Sequence, residues 1–135
     1  MSPIPQIKNV MTPSPITTQG DTTVEAAQKL MIDNRIRHLP VVEGKRPIGI
    51  LSDRDISLAL LVNQGMSSAA SLNVNEICTL HAFTVNANDT LDEVAFTMAQ
   101  KQIGSALVVD DGALVGIFTA TDACEYLGHC LRSKQ

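Results

Sequence analysis

Residues 49–55 read Gly-Ile-Leu-Ser-Asp-Arg-Asp, and residues 116–122 read Gly-Ile-Phe-Thr-Ala-Thr-Asp. A glycine, two apolar residues, a hydroxyl and an acid three positions later thus recur at a constant shift of 67. Setting 36–55 on 103–122 gives six identities in twenty positions: Ile36, Val41, Val42, Gly49, Ile50 and Asp55. A shift of 68 over residues 21–27 adds Asp21, Thr22, Glu25 and Ala27. Such an internal repeat constrains the fold strongly, because both halves must adopt one supersecondary unit and bury its apolar face together.

Each copy reads βαββα. In the first, Met11-Thr12-Pro13-Ser14-Pro15 has turn chemistry and Ile16-Thr17-Thr18 is short and extended. Asp21-Thr22 is expected to cap a helix over 23–34, whose Val24, Ala27, Leu30 and Met31 follow helical spacing. Strands follow at 39–42 and 47–51 around Glu43-Gly44-Lys45-Arg46, then a helix from Asp53 to Gln64 that Gly65 ends. The second copy offers Phe83-Thr84-Val85, a helix capped at Asp89-Thr90, strands at 106–109 and 114–118, and a helix over 120–131. Ile77-Cys78-Thr79 parallels Val10-Met11-Thr12. The expected division is 1–65 with a loose N-terminal arm that packs locally through Ile4, Ile7 and Val10, a linker at 66–73, and 74–135. One unit of about 60 residues cannot cover both faces of its sheet; two packed sheet to sheet with helices outside can. The expected class is α/β (α+β) with pseudo-twofold symmetry.

The repeated corner has chemistry to offer. A Ser or Thr ending a strand accepts from a free N–H of the following helix. An acid in the first helical turn is favoured by the helix dipole, and its carboxylate is a two-oxygen acceptor able to take both hydroxyls of a ribose. Ser52-x-x-Asp55 and Thr119-x-x-Asp122 also have the spacing of a capping box, which is a structural role.

Composition removes several classes. The hydrophobic content of 44% against 18% charged is that of a globular chain. Four aromatic residues (Phe83, Phe96, Phe118, Tyr126) leave an aliphatic core. No apolar run is long enough to span a bilayer, and Met1-Ser2-Pro3-Ile4-Pro5 does not resemble a signal peptide, so a cytoplasmic location is the default. Cys78, Cys124 and Cys130 form no Cys-x-x-Cys. Cys124, His129 and Cys130 are too few and too spread for a tetrahedral metal site, and a metal or redox sensor is the weakest reading. The net charge of −4 divides into +1 over 1–72 and −5 over 73–135. A nucleic-acid surface is excluded on that balance. Arg35, Arg37, Lys45, Arg46 and Arg54 nonetheless suit one small anion near the first corner. His38 is read as a partly buried spacer, and His81 as a turn residue. No P-loop, Gly-x-Gly-x-x-Gly or nucleophile with a placed base is present, so no enzyme is expected.

From Lys8 to Leu131 the chain resembles a cystathionine-β-synthase (CBS) domain pair, or Bateman module. The resemblance is carried by Val10-Met11-Thr12, Asp21-Thr22 with Glu25-Ala26, Ile36-Arg37-His38-Leu39-Pro40-Val41-Val42, the Gly49–Asp55 corner and their second-half partners. It implies a regulatory module that binds AMP, ADP, ATP or S-adenosylmethionine in clefts between the repeats and signals to a partner protein. It further implies that no cofactor is required. By that resemblance Asp55 and Asp122 take ribose hydroxyls beside Ser52 and Thr119. Ile16, Thr17, Arg37, His38 and Pro40 frame one adenine, and Gly104, Ser105 and Ala106 frame the other. Arg54, with Arg37 as a second candidate, meets a phosphate where the second copy has Thr121 and Gly104. The family also implies a disc-like homodimer through the helices that follow each corner. A dimerisation module with empty clefts is the competing reading.

Overall fold

The computed structural model describes residues 3–62 and 71–134. Its strands are β1 (Thr12–Pro13), β2 (Thr18–Gln19), β3 (His38–Glu43), β4 (Arg46–Ser52), β5 (Thr79–Leu80), β6 (Thr84–Asn86), β7 (Ser105–Asp110) and β8 (Ala113–Thr119). Its helices are α1 (Val24–Asn34), α2 (Asp53–Val62), α3 (Val74–Ile77), α4 (Leu91–Lys101) and α5 (Ala120–Ser133). They form two four-stranded mixed sheets, β2-β3-β4-β5 and β1-β8-β7-β6. The α+β class and the doubled unit are therefore as expected. The expected end of α2 at Gln64 and Gly65, and linker positions 66–70, lie outside the described residues.

The compact units do not follow sequence order. One comprises residues 16–82; the other joins 1–15 to 83–135. The strand that completes each sheet is supplied from outside its own βαββ run. β5 pairs antiparallel with β4 (Gly49 opposite Leu80, Ile50 opposite Thr79), and β1 pairs with β8 (Thr12 opposite Ile117, Pro13 opposite Gly116). The arm packs through Ile7 as expected, but against distant chain instead of locally, and Ile4 stays exposed. Ile7 is fully buried in the core of the second unit, its N–H donating to Asp89 O at 2.7 Å, while Leu91 N donates to Pro5 O at 2.9 Å.

These crossings explain the repeated glycine. A Cβ on Gly49 would lie 2.6 Å from the Thr79 carbonyl oxygen and 3.3 Å from Cys78 Sγ; on Gly116 it would run into the Met11 side chain. At Gly49 the obstacle is the backbone of edge strand β5, and at Gly116 it is the side chain of Met11, the residue before β1.

Each unit has its own core. In the unit of 16–82, Val24, Ala27 and Met31 of α1 meet Leu39, Val41 and Leu51 of the sheet and Ile56 of α2. In the other, Ile7, Val85, Leu91, Val94, Met98, Val108 and Phe118 play these parts. Leu39 to Val42 are buried without alternation, so both faces of β3 are withdrawn from solvent.

Two local expectations need correction. The cap of α1 is Thr23, whose side chain accepts from Ala26 N at 3.2 Å, not Asp21-Thr22. The one-turn helix α3, closed by a capping box between Asn73 and Glu76, opens the second copy, where no element was expected before Ile77-Cys78-Thr79. Counted by compact unit, the charge split also narrows: 16–82 carries six basic against seven acidic side chains, and the other unit four against seven.

Candidate functional site

At the first corner β4 ends on Ser52 and α2 starts on Asp53. Asp55 Oδ2 accepts from Ser52 N at 2.8 Å, and Asp55 N donates to Ser52 Oγ at 3.1 Å. The pair satisfies two groups that a helix start leaves orphaned. Asp53 N donates to Arg37 O at 3.1 Å, which ties the corner to the chain entering β3. His38 faces Ser52 across the β3–β4 register. Asp55 is half-buried, and its Oδ1 accepts no hydrogen bond from the described residues. The capping role thus uses one carboxylate oxygen and leaves the other available.

The second corner repeats this frame. Asp122 Oδ2 accepts from Thr119 N at 2.9 Å, Asp122 N donates to Thr119 Oγ1 at 3.3 Å, and Ala120 N donates to Gly104 O at 3.0 Å. Ser105 faces Thr119 as His38 faces Ser52. Two bonds have no counterpart in the first corner. Thr119 Oγ1 also donates to Asp122 Oδ2 at 3.2 Å, and Thr12 Oγ1 donates to Asp122 Oδ1 at 3.0 Å.

The other candidate residues fall into two groups. Ile16 and Thr17 lead directly into β2, which runs parallel to β3 with Thr18 opposite Val41, so they sit at the same sheet end as His38 and the corner. Pro40 is fully buried in β3. Arg37, Arg54 and Thr121 are exposed, and no ion pair joins either arginine to the described residues. Arg37 and Asp53 also line a cavity of ≈ 430 Å³ with Arg35, Ile36, Ile56 and Ser57. Asp55 lines a second one, ≈ 350 Å³, with Leu58, Leu72, Glu76 and Ile77. Both have the size of small-molecule clefts.

Electrostatics at the first corner act on two neighbours. Burial holds the His38 imidazole below its usual 6.5, aided by Arg37 and opposed by Asp53 and Asp55. Burial first, then the Asp55 charge, push the Cys78 thiol up. Cys78 is therefore a poor thiolate.

Thr12, and Thr79 at the same register in the first unit, were not among the sequence candidates. The signal was present, since 12 and 79 are also 67 apart. It was hidden because each threonine reaches its sheet from a distant stretch of chain. Among the described residues, no group of three or more His, Cys, Asp or Glu could hold a metal ion. His129 instead lies 3.8 Å from Glu125, and the neighbouring Cys130 raises the Tyr126 phenol pKa. No helix among the described residues is long and apolar enough to cross a membrane.

The CBS domain model matches residues 7–62 and again 74–129. The CBS domain-containing protein YhcV of Bacillus subtilis is 33% identical over 86% of this chain and 81% of its own length. L-aspartate semialdehyde sulfurtransferase of Methanocaldococcus jannaschii is 33% identical over 94% of this chain, which spans only 24% of that enzyme. A Vibrio cholerae protein assigned to acetoin utilization superposes with a TM-score of 0.87 at 29% identity, covering 98% of this chain and 96% of its own. The CBS domain pair of protein MJ0100, in complex with 5′-methylthioadenosine and S-adenosyl-L-methionine, gives 0.84 at 31% identity, covering 94% and 98%. CBSX2 in complex with AMP gives 0.80 at 26% identity, covering 96% and 98%. With two model matches over most of its length, this chain belongs to the CBS domain family and carries two CBS domains in tandem.

Proposed function

We propose that the chain is a regulatory module that grips the ribose of an adenosine compound at Asp55, at Asp122, or at both. One observation carries the reading: each corner carboxylate is fixed by the amide of the residue ending its strand, at 2.8 and 2.9 Å. Such anchoring orients the acid before any ligand arrives, so little ordering is lost on binding. The similar domain pairs in complex with methylthioadenosine, S-adenosylmethionine and AMP give the ligand class.

Ser52 and Thr119 steady the acids. Ile16, Thr17 and His38 frame the base at the first corner, ahead of the buried Pro40, with Ser105 at the second. Arg37 and Arg54 draw phosphate to the first corner, where the second has Gly104 and Thr121. A ligand acts by favouring one of two arrangements of the module, and a partner protein reads the change. The test is thermal melting with AMP, ATP, methylthioadenosine and S-adenosylmethionine. A ligand at 100 times its dissociation constant stabilises the folded chain by about 2.7 kcal/mol. The doubly substituted Asp55→Asn, Asp122→Asn chain loses that shift. An unshifted wild type with all four compounds overturns the reading.

A second reading is favoured by α5, which has no buried residue and exposes Leu127 and Leu131, and by α2, which exposes Leu58, Leu61 and Val62. These faces suit a homodimer through the two helices. Sedimentation of the ligand-free chain decides whether assembly needs no small molecule.

A further inference from the structure

We infer that the two corners are graded: the first is open and fills first, while Thr12 holds the second closed by occupying the carboxylate oxygen a sugar needs. This rests on the adenosine reading above and assigns Thr12 as its positioning residue. The corners share their backbone frame to within a few tenths of an ångström, from the amide on the acid (2.8 and 2.9 Å) to the bond that ties the helix start (3.1 and 3.0 Å). They differ in donors. Among the described residues Asp55 receives one hydrogen bond, from Ser52 N; Asp122 receives three, from Thr119 N, Thr119 Oγ1 and Thr12 Oγ1. Thr79 stands opposite Ile50 as Thr12 stands opposite Ile117, but the described hydrogen bonds join only Thr12 to its aspartate.

A diol entering the first corner adds bonds to a free oxygen. One entering the second must exchange the Thr12 bond for its own. A hydrogen bond exchanged instead of gained lowers affinity about 3–10-fold. Thr12 is exposed, so its hydroxyl has water to turn to once displaced.

The experiment is a titration of the full chain with adenosine, which lacks phosphate and so removes the arginine contribution. It is followed by the amide resonances of Ser52 and Asp55 against those of Thr119 and Asp122. The first pair saturates at about 3–10-fold lower adenosine than the second. Thr12→Val, which removes the donor and keeps the shape, brings the second pair within about twofold of the first and leaves the first unmoved. Thr12→Ser keeps the donor and keeps the gap. The grading is overturned if both pairs saturate together in the wild type, or if Thr12→Val weakens the second corner. If adenosine moves neither pair, the adenosine reading falls and the grading with it.

Discussion

Replacing each repeated glycine by alanine separates a backbone clash from a side-chain one. At Gly49 the new methyl would sit 2.6 Å from the Thr79 carbonyl oxygen. Ordinary carbon contacts begin near 3.5 Å, so about 0.9 Å must be found. The obstacle is backbone in β5, held by its pairing with Gly49 and Ile50, and it can yield only if that strand lifts. Overpacking of this kind costs about 1–3 kcal/mol. Removing a glycine from a strand returns about 0.5–1 kcal/mol, so mid-range values leave Gly49→Ala destabilised by about 1.3 kcal/mol net, and by about 2.5 kcal/mol at most. At Gly116 the obstacle is the thioether of Met11, a half-buried chain with three rotatable bonds. Its rotation offsets most of the clash, and Gly116→Ala stays within about 0.5 kcal/mol of wild type. Urea unfolding at a slope of about 2 kcal/mol per molar converts these to a midpoint loss of about 0.5–1 M for Gly49→Ala and near zero for Gly116→Ala. Equal midpoints, or a larger loss at Gly116, would refute the view that each glycine is set by what crosses it.

Three further outcomes follow. Ile7→Ala empties a fully buried position supplied by the arm and should cost about 2–5 kcal/mol in urea unfolding, whereas a loose arm would show no change. His38 titrates below 6.5 when folded. The unfolded chain therefore takes up the proton first, so this contribution to stability is complete above about pH 6.5 and is lost as pH falls from there towards the folded value. His38→Gln should flatten the dependence of the urea midpoint on pH in that window, and an unaltered slope would exclude His38 as its source. Arg54→Ala should weaken ATP binding about threefold at low salt and leave adenosine binding alone, as befits an exposed guanidinium; calorimetry with both ligands distinguishes this from a general loss of the site.

The repeat, the strand pairs and both corners could be read from residue order because each is a local pattern. Gly49 to Asp55 sets a strand, a cap and an acid within seven positions, and the structure places the cap bonds there. What escaped was non-local. β1 and β5 are two residues long, too short for any periodicity, and each joins a sheet whose other strands lie elsewhere in the chain. The partner of the arm escaped for the same reason: Ile7, with Val10 and Met11 beside it, packs on a core built from residues 85–118, far along the chain.

The crossing was nonetheless encoded in the glycines. A residue without a Cβ in the middle of a strand of Ile and Leu weakens that strand unless another stretch of chain, by backbone or side chain, must come close. Gly49 and Gly116 therefore mark where an outside strand lies, and the shift of 67 that relates them also relates Cys78 to Met11 and Thr79 to Thr12. Thr12 follows the residue that covers Gly116, and its hydroxyl reaches Asp122 at 3.0 Å. The glycine admits the strand, the strand delivers the hydroxyl, and the hydroxyl meets the acid. A ligand that takes Asp122 from Thr12 therefore acts on the only side-chain bond described between β1 and α5. Under the grading proposed above, attachment of β1 at Thr12 and occupancy of the second corner compete for one carboxylate oxygen, so strengthening either weakens the other by the same free energy.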